Sequence, residues 1–518
     1  MRTIPFLSTV LGLAVLLPAQ DSLHLKDGRF VSGPKMEFVG EEVLIHFPHG
    51  DVKIPKSIVR EATLSSGPAD PNMSAEDKAK IDSGQVRFEN RWMPIAERDK
   101  LLERRRTERE ARIKEAMSHR EWANRNYLKT ENFAFEFTID PEVMRGFADL
   151  MEVYYKNFTK AWGITKPPKM GRLKVCFYHD EDYYHQVSGA PGGVIGYFRF
   201  VEPMELNFFF DRLDPDFTVD VMFHETNHYL TTLIDPKFRY PIWVNESLAE
   251  YYGASAWDPK AKKMTVGGIQ EGRLAVIQDA IRADEWQGLE ALIRLKHGEF
   301  NATHYAWGWS FVHWLLENKA TAPKFKDFYL ALGRDKTVKR EPVPPMMKQV
   351  PTDEVIRLLL KHLGAKSLEE LEKGWHEYVK TLKPSSGRGF YEAGRMAMMR
   401  DMPIKAQRYL KTSLDMDFKG PQVYAELGRA LYLKDKDDEA IQALQQAVDL
   451  DPLNPEFYLL LSRAHRSKSS SDPEVKRLQW LALEIARATN DPNEYAILVD
   501  LGPEFTKAEE AAAPGGGK

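Results

Sequence analysis

The chain reads as multidomain: a small N-terminal all-β domain, a central α+β domain and a C-terminal all-α repeat array. Three observations predict this. Residues 20–65 hold short β-rich runs broken by Asp27-Gly28 and Gly50-Asp51, the punctuation of tight turns between antiparallel strands. Residues 128–384 mix alternating apolar runs with stretches of helical period. Residues 387–495 repeat themselves at a period of 34 residues. A length of 518 residues exceeds one core and predicts two to four domains. The hydrophobic share of 43% and charged share of 29% are those of soluble globular protein. A net charge of −4 gives no reason to expect nucleic acid or a strongly anionic partner.

At the N-terminus, Arg2, an apolar run from Ile4 to Leu17 and the pair Pro18-Ala19 have the order of a secretory signal over residues 1–19. The run is too short to span a membrane. The expectation is an exported protein, periplasmic or extracellular, with no transmembrane segment after signal removal. Its one cysteine, Cys176, lies in the apolar run Leu173–Tyr178 and is expected to be a buried thiol. No intramolecular disulfide can form, so stability must come from the core and any metal. In the β domain of residues 20–65, His24, His46 and His49 are scattered along strands and read as ordinary surface residues. Residues 66–127 read as a hairpin and charged helical linker: a polar loop over 66–83, a hairpin over Gly84–Pro94, then a helix rich in both signs of charge. Mixed signs favour a solvated spacer over a binding patch.

Within residues 128–384, Glu131–Phe137 alternates like an edge strand. Val143–Trp162 has helical period, with Leu150, Val153, Tyr154 and Phe158 as its buried stripe. Leu173–Tyr178 is a strand, and Val194–Phe200 with Met204–Phe210 read as a strand pair. Next comes Phe223-His224-Glu225-Thr226-Asn227-His228, an HExxH sequence. Four residues apart on a helix, His224 and His228 share a face and can aim at one point. Two neutral imidazoles and a carboxylate make a catalytic zinc site with an open position for water. Glu225 can then take that water's proton. Asp216 or Thr218 is expected to cap this helix, which should run to about Leu233 before Asp235-Pro236 stops it. A second helix is expected after Pro241, with Glu246 and Glu250 one turn apart. Further on, Thr303–Leu316 is a strongly apolar, aromatic helix.

The pairing of HExxH with Asn245-Glu246-Ser247-Leu248-Ala249-Glu250 resembles the gluzincin metallopeptidases. Within that clan it is most similar to the peptidase MA-like domains of secreted bacterial proteins, over roughly residues 128–320. Trp243-Val244-Asn245-Glu246 matches the family's ligand box except that Ser247 stands in place of its Gly. Seventeen residues separate His228 from Glu246, slightly fewer than is usual in the clan. The resemblance implies a Zn2+ ion on His224, His228 and Glu246, and peptide-bond hydrolysis by a zinc-activated water with Glu225 as general base. It further implies that Glu250 and Asn245 support the ligands, Glu250 by accepting a hydrogen bond from a ligating histidine. Tyr305, with His304 as second choice, would stabilise the oxyanion. One strand just upstream of HExxH would bind substrate backbone along the sheet edge.

In the C-terminal third, Tyr424, Leu427, Gly428, Ala440, Leu444, Ala447 and Pro452 match the tetratricopeptide pattern. Phe390, Gly394, Ala406 and Leu410 fall one period earlier, and Tyr458 and Leu461 one period later, before an insertion near Ser467–Pro473 breaks the phase. The array over 387–495 is expected either to present a groove to a protein partner or to pack on the peptidase-like domain, and residues 496–518 to be a disordered tail. Two function classes follow: a secreted zinc peptidase acting on peptide or protein substrates, or an inactive peptidase-fold adaptor that binds partners through its repeats.

Overall fold

The structure, a computed structural model, describes residues 21–64, 74–89, 91–168, 170–491, 494–502 and 505. Residues 1–19, the expected signal, lie outside them, as does most of the expected tail. The chain divides into two compact units, one of residues up to 112 with 480–494, the other of 113–479 with the residues from 495 onward.

The first unit is strand-rich. Phe30–Ser32, Ser22–Leu25 and Val59–Thr63 form one three-stranded sheet, and Lys35–Val39, Glu42–Phe47 and Gly50–Pro55 another. Alternation places Val43, Ile45 and Phe47 inside. Between the sheets and the hairpin Gln85–Phe88/Arg91–Pro94, residues read as polar loop instead include a helix, Ala75–Asp82. Ser74 caps it by accepting from the Asp77 backbone N–H, with Glu76 and Asp77 in its first turn, where negative charge is favoured. The helix buries no side chain, so no apolar stripe announces it in the sequence. The long helix Ile95–Ser118 carries pairs such as Arg104–Glu108 at 3.6 Å. The three histidines do not cluster. His46 meets Asp51 at 2.9 Å, His49 stacks on Trp480, and His24 packs on Phe30 and Phe88.

The second unit is built on a five-stranded mixed sheet. From edge to edge its strands are Gly196–Arg199, Glu205–Phe209, Leu173–Tyr178, Phe133–Phe137 and Asn126–Lys129. Phe133–Phe137 is therefore an interior strand, not the expected edge. It pairs with Asn126–Lys129 antiparallel and with Leu173–Tyr178 parallel; Phe133, Phe135 and Phe137 share one face and are buried, Phe133 against Tyr155 and Tyr229 of the helices that pack there. The helix Pro141–Trp162 starts at Asp140, whose carboxylate accepts from the Glu142 and Val143 backbone N–H groups. Its buried stripe runs through Met144, Phe147, Met151, Tyr154 and Phe158; Leu150 and Val153, expected in that stripe, are only partly buried because its centre is rotated toward the sheet. Cys176 is buried and free, with burial pushing its thiol up to about 12.

Just past the third strand of the sheet, His179 is almost fully buried, accepting from Arg120 Nε at 3.1 Å and meeting Thr138 at 3.0 Å. Burial, then the Arg120 guanidinium, hold its pKa down to about 2. Once unfolded, His179 gains a proton below its ordinary pKa of about 6.5, and the folded chain does not follow. Stability is thus complete above that pH and falls by up to about 1.4 kcal/mol per pH unit below it. Denaturant midpoints between pH 7.5 and 5 should decline less steeply for His179→Gln than for the wild type. Equal slopes would exclude His179 as the source.

The C-terminal part is all-helical. Gly387–Met399 with Pro403–Asp415 and Pro421–Tyr432 with Asp437–Leu450 form helix pairs, and the helices Pro455–Lys468 and Pro473–Thr489 follow in the chain. Gly394 lies against Leu410, and Gly428 against Leu444, at distances that leave no room for a Cβ. The first pair packs on the helix Glu271–Arg282. Glu392 accepts from the Gly272 backbone N–H at 3.1 Å, Ser385 donates to the Glu271 carbonyl at 3.0 Å, and Arg408 pairs with Asp279. The tail expected from residue 496 begins later. Glu494–Leu501 is a helix with Ile497, Leu498 and Leu501 buried, and Phe505 is buried too; its acidic and alanine-rich continuation masks this short apolar run in the composition.

Candidate metal centre

The HExxH sequence lies on the helix Pro215–Thr232. Its cap is neither Asp216 nor Thr218 but Asp214, which accepts from the Phe217 backbone N–H at 3.1 Å. Pro215 explains the shift: Pro is preorganised for the first helical position, so the cap is the residue before it. Thr218 instead accepts from the Asp211 backbone N–H at 2.9 Å. The following helix, Ile242–Gly253, starts directly after Pro241. It returns Glu246 to the histidines.

Three donor atoms then converge. His224 Nε2 lies 3.3 Å from His228 Nε2, and Glu246 Oε2 lies 3.3 Å from the first and 3.4 Å from the second. A tetrahedron with such edges has its centre about 2.0–2.1 Å from each vertex, the length of a metal–imidazole or metal–carboxylate bond, and leaves its fourth vertex open. Glu225 is the next acid, its carboxylate within 4.8 Å of both imidazoles. These residues can hold a metal ion.

Each histidine is oriented from behind. His224 Nδ1 is 3.3 Å from Glu250 Oε1, and His228 Nδ1 is 3.0 Å from the side-chain amide of Asn245. A carboxylate acceptor at Nδ1, as Glu250 is for His224, leaves Nε2 free to ligate, while the Asn245 amide fixes the position of the His228 ring. Glu250 is itself held by Arg273 in a fork of 2.6 and 2.7 Å. Arg273 was not foreseeable. It lies in a stretch with no motif and reaches Glu250 only because the helix Glu271–Arg282 packs there.

The electrostatics follow from burial and close charges. Burial works against protonated His224, but the hydrogen bonds to Glu246 and Glu250 outweigh it and raise the group to about 10. His228 is raised likewise, burial being outweighed by the Glu246 charge. Burial disfavours ionised Glu246, yet the histidines win and hold it far below the usual carboxylate range. Glu225 is raised, chiefly by burial, which the two histidines only partly offset.

Tyr305 projects from the helix Ala302–Glu317, its ring centroid 6.3 Å from that of His224. Burial and then the Glu246 charge push its phenol up, so it stays a hydrogen-bond donor. His304 is used otherwise: its Nδ1 accepts from the Asn301 backbone N–H at 3.1 Å and caps its own helix. Close packing brings the elements together. Gly308 of the Tyr305 helix lies against Ser247, and Gly196 of the edge strand has room for no Cβ beside Val221 and Glu225.

Two cavities meet at this centre, of about 780 and 620 Å³, and His224, Glu225, Gly196 and Tyr305 line both. The smaller one is walled by Phe198, Phe200, Tyr240, Asn245, His297 and Met347. The larger is bounded on one side by Gly193–Gly196 and on the other by residues of the helical array, including Arg388, Tyr391, Glu392 and Arg400. Of the strand pair, Gly196–Arg199 is the sheet edge, bonded only to Glu205–Phe209, and the Phe198 backbone N–H reaches the Glu225 carboxylate.

Comparison with curated proteins found no match. Residues 428–465 match the TPR repeat, so the helical array contains tetratricopeptide repeats, a module that suggests protein–protein interaction. Residues 218–340, from within the HExxH helix to beyond the helix Ala322–Arg334 that follows the Tyr305 helix, match a family described as protein of unknown function (DUF1570).

Proposed function

We propose that the chain is an exported zinc peptidase of the gluzincin type. The observation that carries this reading is the triangle of His224, His228 and Glu246 donor atoms, with edges of 3.3–3.4 Å, beside a carboxylate and an open sheet edge. Two imidazoles and one carboxylate suit zinc, and a zinc ion there would supply Lewis acidity to water and to the scissile carbonyl. The remaining steps belong to the chain. Substrate backbone pairs with Gly196–Arg199 and passes the centre in the cleft. Glu225, made more basic by burial, takes a proton from the attacking water and passes it to the leaving amine. Tyr305 donates to the developing oxyanion. Glu250, accepting from His224 Nδ1, keeps that imidazole in the ligating tautomer, and Asn245 fixes the position of the His228 ring.

The test is metal content and cleavage together. The purified chain should carry one zinc per molecule and cut a peptide library. Chelation should abolish cutting, and added zinc should restore it. Glu246→Gln, which weakens one ligand, should lower zinc affinity by at least about tenfold. Cutting that survives complete metal removal would end the proposal. The tetratricopeptide repeats support a second reading, an inactive adaptor; zinc bound without any cleavage would favour it.

A further inference from the structure

The larger cavity is charged, and all but one of its arginines are neutralised. Arg273 is forked onto Glu250, Arg388 pairs with Glu392 at 3.0 Å, and Arg395 is held by Asp211, Asp214 and Glu426. Arg400, at the end of the first repeat helix, is different. Its guanidinium sits 4.9 Å from the centroid of the Tyr305 ring and, among the described residues, has no carboxylate within ion-pair distance. It is half-buried; burial and nearby Arg273 work against its charge and outweigh Glu250 and Glu246, which favour it from beyond ion-pair distance. A desolvated cation without a counter-ion is costly. One aimed into a cleft beside a reactive centre is matched by an anion that arrives with the ligand.

The backbone places Arg400 at one end of the edge strand. The Arg400 main chain lies 3.6 Å from the position of a Cβ on Gly193, in the loop that leads into the edge strand Gly196–Arg199. A peptide added antiparallel to that strand, the more stable pairing, runs opposite to it. Its residues after the scissile bond therefore approach Gly193 and Arg400. We propose that Arg400, supplied by the repeat array, anchors a substrate carboxylate on the C-terminal side of the scissile bond. The direction of the chain rests on the peptidase reading; the anion site rests on Arg400 itself. The carboxylate is either the peptide's own terminus or an Asp or Glu side chain. The array thus belongs to the specificity of the cleft. Asp216, also on its walls, should reject an acid placed away from Arg400.

The test separates the anchor from the peptidase. Fluorescein-labelled octapeptide libraries are made in four matched forms, with terminal acid or amide, and with Glu or Gln at one fixed internal position. Binding is read by anisotropy on zinc-loaded Glu225→Gln, and turnover on wild type. The expected result is tenfold to a hundredfold tighter binding, about the worth of a charged hydrogen bond, for at least one carboxylate-bearing form. Adding Arg400→Met, which keeps the length and apolar cover of Tyr305, should erase that preference, and Arg400→Lys should restore part of it. Preference for the terminal acid alone identifies a chain terminus, and preference for Glu alone identifies a side chain. Equal binding of all four forms, a preference that survives Arg400→Met, or a uniform loss across the four would overturn the anchor. Preference without turnover would defeat the peptidase reading and leave the anchor standing. Turnover without preference would do the reverse.

Discussion

Replacing Glu225 by Gln should leave zinc content unchanged and lower turnover on any cleaved peptide by about 10²–10⁴-fold, the usual worth of a positioned general base. The two effects separate because Glu225 is not among the three closest donor atoms. Those belong to His224, His228 and Glu246, at 3.3–3.4 Å from one another. Gln keeps the shape of Glu and can still accept from the Phe198 backbone N–H, so the edge strand should stay in place. What it loses is the basic oxygen that burial has strengthened. Metal analysis beside single-turnover kinetics checks both halves. Turnover near the wild-type rate would remove Glu225 as the base, and parallel loss of zinc would make it a ligand instead.

The second large effect is expected away from the metal. Arg395 is only 2% exposed, yet Asp211 and Asp214 from the loop before the HExxH helix and Glu426 from the second repeat pair close around it. Asp214 is also that helix's cap. The cluster ties the repeat array to the start of the ligand-bearing helix. Arg395→Met removes the cation and leaves buried carboxylates facing one another, which should cost about 3–5 kcal/mol. The thermal midpoint should fall and zinc should be lost at a lower temperature. Adding Asp211→Asn should recover part of the loss, since it withdraws one of the stranded charges, whereas Glu426 keeps Arg429 at 3.2 Å. An unchanged midpoint for Arg395→Met would show that the carboxylates are satisfied without it.

The local features were legible because each is written within one or two turns of chain. The facing of His224 and His228 follows from the helical period. Pro241 marks where the second helix begins. Cys176 was readable as buried from its apolar neighbours, and the 34-residue period announced the repeat helices. Misreadings arose where partners outside the window decided. Phe133–Phe137 alternates as an edge strand would, but Asn126–Lys129 covers it. Asp216 and Thr218 are good capping residues, but Asp214 precedes the proline.

By itself, then, the sequence determined which residue types could meet around a metal and that the segments carrying them would be helices. Only the tertiary structure decided what surrounds them. Arg273 behind Glu250, Arg395 under the HExxH helix and Arg400 over Tyr305 come from 23, 184 and 95 residues away respectively. No periodicity connects such positions. They are brought together by the packing of whole helices, and a charge's partner is set by that packing rather than by its neighbours in the chain.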